Sequence, residues 1–107
     1  MKGHILIMIL AWALLLPPYG EKDPETGIRF TVTNAPLEAW SIDRYFDAAT
    51  ECNRYRENQA NSFLMSGSTE YEKGSVLGPA YASVYFKFQD GRCLPVEYLI
   101  QQGIPIR

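Results

Sequence analysis

The chain opens on its longest apolar stretch, residues 5–16, which carry no charge and end at Pro17 and Pro18. With Lys2 and His4 ahead of it, this run has the layout of a secretory signal. It is shorter than the ~20 apolar residues of an ordinary membrane-spanning helix. The expected division is therefore a signal peptide of residues 1–20, cut after Gly20, and a single small domain of residues 21–107. Residues 21–27 are charged and aperiodic, an exposed lead into the domain. Ile28, Phe30 and Val32 then alternate with Arg29, Thr31 and Thr33, the period of a strand with one buried face. Residues 37–46 also read as a strand through Trp40, Ile42 and Phe46, although a helical face opened by Pro36 fits part of the same stretch.

Asp47 has the chemistry of a helix N-cap, and residues 48–59 are predicted to be helical, with Ala48, Ala49, Cys52 and Tyr55 on one side. Residues 61–79 contain Gly67, Gly74, Gly78 and several serines, and read as a long loop, the most plausible mobile or binding element of the chain. Ala82, Val84, Phe86 and Phe88 alternate with Ser83, Tyr85, Lys87 and Gln89. With Asp90 and Gly91 offering a two-residue turn, this predicts a hairpin whose second strand carries Cys93 and is limited to an edge by Pro95. Residues 98–106 read as an irregular apolar tail. The expected architecture is α+β, a small antiparallel sheet with one main helix packed on it and one disulfide.

Two cysteines in an exported chain most simply pair with each other. Periodicity turns Cys52 inward on its helix and Cys93 inward on its strand, so a Cys52–Cys93 clamp is expected. A domain of this size buries little core, and closing a loop of about forty residues would stabilise it by roughly 4 kcal/mol.

Charge and side-chain inventory then narrow the function. Beyond the expected signal there are nine basic and twelve acidic residues and no histidine, because His4 is the only one. That balance lacks the clustered Lys and Arg that nucleic acid or an anionic membrane rewards. Without histidine, with no C-x-x-C and no G-x-S-x-G, neither thiol nor serine nucleophilic chemistry has its partners. Glu21, Asp23 and Glu25 lack the spacing of a calcium loop, no four soft ligands exist for zinc, and no catalytic residue, metal site or cofactor is expected. The pairs Asp43 with Asp47 and Glu70 with Glu72 are the only carboxylates placed for acid and base work. Tyr71, Tyr81 and Tyr85 fall outside the expected core and could form a recognition patch, since tyrosine offers contact area at low entropic cost.

At Trp40, Phe46, Asp47, Ala49 and Cys52, followed by Arg92, Cys93 and Pro95, the chain resembles a loose group of small exported bacterial proteins of unknown function. Those proteins share a signal peptide, a tryptophan, a Phe-Asp pair, a helix-borne cysteine and a second cysteine near the end. The resemblance covers a minority of the chain and implies bacterial export, with no activity attached. The expectation is a periplasmic or secreted binding module, not an enzyme, that contacts a protein or envelope component and keeps no stable membrane span. The alternatives are a membrane-tethered accessory protein that retains its N-terminal run as an anchor and, behind it, a carboxylate-based hydrolase.

Overall fold

The computed structural model describes residues 11–106. Five strands and three helices follow one another as β1 (Trp12–Leu16), β2 (Tyr19–Lys22), β3 (Arg29–Thr31), β4 (Ser41–Phe46), α1 (Ala49–Glu72), α2 (Leu77–Gln89), β5 (Arg92–Pro95) and α3 (Val96–Gln101). A three-stranded antiparallel sheet has the order β4-β1-β5, and β2 pairs with β3 in a separate two-stranded sheet. The α+β class, the long helix on the sheet and the Cys52–Cys93 bond are all present.

The centre of that sheet lies in the run expected to be signal. Trp12–Leu16 pairs with β4 on one side and β5 on the other, and Ala13, Leu14 and Leu15 have no exposed surface. Successive strand side chains point to opposite faces. Leu14 and Leu16 join Cys52, Ala60 and Phe88 under the long helices, while Ala13 and Leu15 join Trp40 and Leu99 on the other face. A strand buried on both faces is apolar at every position, and periodicity cannot tell such a run from an export signal. The domain therefore starts ahead of Glu21 in this structure, whereas residues 1–10 of the expected signal, Lys2 and His4 included, lie outside the described residues.

The segment from 61 to 89 also differs from expectation. Residues 61–72 continue α1, and α2 occupies the place of the predicted hairpin strand, so the 61–79 loop reduces to the link between two antiparallel helices. Asn61, Ser62, Ser66 and Gly67 are weak helix formers, but tertiary packing overrides them. Cys52, Ala60 and Gly67 recur about every two turns and form the buried side of α1. In α2, the alternation that suggested a strand coexists with Tyr81, Val84, Tyr85 and Phe88 at helical spacing, and the last three pack on the core. Pro79 is tolerated because it sits in the first turn, where N–H groups have no intrahelical partner.

Gly78 permits the close approach of the two helices. A Cβ there would stand 3.1 Å from the Tyr71 backbone. At the far end of α2, the Arg56 guanidinium donates to the carbonyls of Phe88 (3.2 Å) and Gln89 (3.3 Å), meeting orphan acceptors at the negative end of the helix.

Asp47 is not the cap of α1. The N-cap is Ala48, with no side-chain cap bond. The tail is more ordered than expected: Val96–Gln101 is helical, Leu99 is fully buried, and Leu37–Ala39 forms a short 3-10 turn ahead of β4. The Trp40 indole donates to the Ala35 carbonyl at 3.0 Å, which fixes the lid over this second face.

Candidate functional site

The helical hairpin carries the most conspicuous uncovered apolar surface. A groove of about 410 Å³ runs between α1, α2 and the segment leading into β3, with Phe63, Leu64 and Tyr71 on one wall and Ile28, Tyr85 and Phe86 on the other. Gly67 and Gly78 let the helix backbones form its floor. Aromatic stacking stiffens the walls: Phe63 lies parallel to Phe88 at 6.0 Å, and Phe86 contacts Phe30 and Tyr85, both at 5.1 Å.

Of the three tyrosines singled out from sequence, Tyr71 and Tyr85 line this groove together, and Tyr71 is 77% exposed. Tyr81 does not join them. It packs on Phe63 with ring centroids 6.0 Å apart and faces a separate shallow recess beside Met65 and Thr69. Sequence reasoning missed Phe63, Leu64 and Ile28, because a supposed loop hides the helical spacing that places Phe63, Leu64, Gly67 and Tyr71 on adjoining turns.

The cysteines are bonded at a Cα separation of 6.1 Å, with Cys52 fully buried beneath α1 and Cys93 paired to Leu14 of the central strand. The bond ties α1 to the sheet, and no cysteine is free.

One member of each carboxylate pair has an ion partner. Asp43 is 3.1 Å from Arg44 and Glu70 is 3.5 Å from Lys73. Asp23 organises the turn into β3 by accepting from the Thr26 hydroxyl at 2.7 Å, and that bond holds its carboxyl below the usual range. Among the described residues, no group of three potential ligands could hold a metal ion, and no helix is long and apolar enough to cross a membrane.

Two phenols are shifted. Burial pushes Tyr19 up against an opposing pull from Arg29, and burial, aided by the Asp43 charge and opposed by Arg44, pushes Tyr55 up. Neither is turned into an acid or base near neutrality by such a shift. The Arg44 guanidinium lies 4.3 Å over the Tyr55 ring, a packing role. Buried Ser83, the remaining hydroxyl of interest, accepts from the Arg29 backbone N–H and donates to the Pro79 carbonyl, both at 2.8 Å. It is a rivet between β3 and α2. The groove walls offer apolar and aromatic contact area. The chain matches no protein-family model, no curated protein and no solved structure.

Proposed function

We propose that this protein is an exported binding module without catalytic activity, and that the groove between α1 and α2 is its contact surface. The observation that carries the reading is the exposure of large apolar side chains around one groove. Leu64 and Tyr71 stand exposed on its walls, on a domain that buries Leu14, Leu15, Leu16, Leu99 and Trp40. Contiguous apolar surface of this kind on a small protein is a sign of recognition. Export to the periplasm or the exterior agrees with the disulfide, which persists in an oxidising compartment. The partner is a protein or envelope component.

Crosslinked pull-down from the exported compartment tests the proposal, comparing the native chain with Leu64→Glu and Tyr71→Ser. Both positions are exposed, so the fold should survive, as a thermal scan would verify. Loss of the recovered partner in both variants supports the groove as contact surface. Recovery equal to that of the native chain removes it.

A further inference from the structure

On the opposite side of β3 from the apolar groove lies a second cleft, of about 560 Å³, between the β2–β3 hairpin and α2. Its hairpin wall carries Tyr19, Lys22 and Arg29, and its helix wall carries Val76, Pro79 and Val84. We propose that this cleft binds a small amphipathic anion, an apolar body ending in one carboxylate-like group. The inference is separate from the groove, because it concerns a different ligand and, apart from Pro79, which borders both, different lining residues.

Charge is the first argument. The chain is net negative by two, yet the residues lining this cleft include two cations and no carboxylate. Half-buried Lys87 adds a third positive charge beside it, its Nζ lying 4.3 Å over the Tyr19 ring. The ion pairs among the described residues are Asp43–Arg44, Arg56–Glu57 and Glu70–Lys73, so Lys22, Arg29 and Lys87 have no carboxylate partner there. Of the acids close by, Asp23 accepts from Thr26, Asp90 accepts from the Thr31 hydroxyl on β3, and Glu21 flanks Lys22 on the exposed hairpin, but none of them lines the cleft. Two cations lining the cleft without a salt-bridge partner, with a third over the Tyr19 ring, raise the local concentration of anions.

Geometry is the second argument. Arg29 is held by its backbone bond to buried Ser83, so the origin of its side chain is fixed relative to α2. The guanidinium spends one donor on the Gly20 carbonyl at 3.4 Å and keeps the others, in a planar fork that suits a carboxylate. Facing this charged rim, Val76 is 87% exposed, and Pro79 and Val84 continue the apolar wall. Polar atoms at one end and an apolar wall at the other fit a ligand of the same division, and the volume is that of ordinary small-molecule sites.

The test uses decanoate below its micellar concentration, with decanol, acetate and inorganic phosphate as counterparts, each titrated calorimetrically into the full chain. Decanoate should bind with one-to-one stoichiometry, and decanol, acetate and phosphate should each bind at least tenfold more weakly. The double variant Lys22→Gln, Arg29→Gln should weaken decanoate by about tenfold, the product of two exposed ion pairs of a few-fold each. Its thermal midpoint should match the native one, since neither side chain is buried. Decanol binding as well as decanoate would show apolar adhesion only, and phosphate binding as well would show a bare anion site. Either result overturns the proposal, as does decanoate binding that is absent or indifferent to the double substitution. Leu64→Glu, in the other groove, should leave decanoate affinity unchanged.

Discussion

A chain that begins at Glu21 should fail to fold, whereas one that begins at Ala11 should fold cooperatively. The first deletion removes the whole of β1, the strand to which both β4 and β5 are paired. Leu14 and Leu15 have no exposed surface and Leu16 retains 8%. Burying a leucine contributes about 1.5–3 kcal/mol, so the three together contribute about 5–9 kcal/mol. The ladder bonds of β4 and β5 are lost as well. Domains of this kind are stable by only ~5–15 kcal/mol in total, so the deletion takes most or all of the margin. Circular dichroism in the near and far ultraviolet, followed through a urea titration, reads the outcome directly. The shorter chain should lack near-ultraviolet signal and a cooperative transition, and the longer one should show both. A chain starting at Glu21 that unfolds cooperatively at the same urea midpoint would refute the reasoning, and N-terminal sequencing of a folded, exported protein starting there would do the same. As a milder version, Leu15→Ala in the longer chain should cost about 2–5 kcal/mol, the range for emptying a leucine site in a packed core.

Thiol labelling should find no reactive cysteine in the native protein until reductant and denaturant are added, and Cys52→Ser with Cys93→Ser should lower stability by up to about 4 kcal/mol in a urea titration, given a loop of 41 residues. The two helix-hairpin glycines should respond with opposite sign. Gly67→Ala places its methyl at an ordinary 3.5 Å from α2 and should stabilise by about 0.5–1 kcal/mol through helix propensity, while Gly78→Ala presses on the Tyr71 backbone at 3.1 Å and should destabilise by about 1–3 kcal/mol; equal urea midpoints for the two would contradict the packing described. Because the Thr26 bond lowers the Asp23 pKa, the stabilisation it brings is present above the unfolded carboxyl's pKa and disappears as pH falls through the folded value. Thr26→Val should raise the Asp23 titration midpoint followed by NMR, and an unmoved midpoint would discard the assigned cause.

How legible the fold was depended on what each segment packs against. The Cys52 helix, the Trp40–Phe46 strand region and the Cys93 edge strand could be read locally, because each carries short-range periodicity that matches the element it forms. Tyr71 is an exposed aromatic, as its loop-like context suggests, whereas Tyr85 packs partly on the core, and their placement across one groove is not legible from sequence. It depends on α1 running on through Gly67, where helix propensity is poor and the contact with α2 compensates. The cations of the second cleft were invisible as a cluster, since Lys22 and Arg29 come from a hairpin and Lys87 from a distant helix.

By itself the sequence determined the α+β class and the pairing of Cys52 with Cys93. These follow from composition and from short-range periodicity, which fold with the chain wherever it packs. Tertiary structure decided the rest. An uncharged run such as Trp12–Leu16 suits an export signal and a strand buried on both faces equally well, and only the presence of β4, β5 and a layer on each side makes it the strand. Tyr81–Phe88 likewise satisfies both a period of two and a helical period, and the close floor at Gly78 against Tyr71 selects the helix.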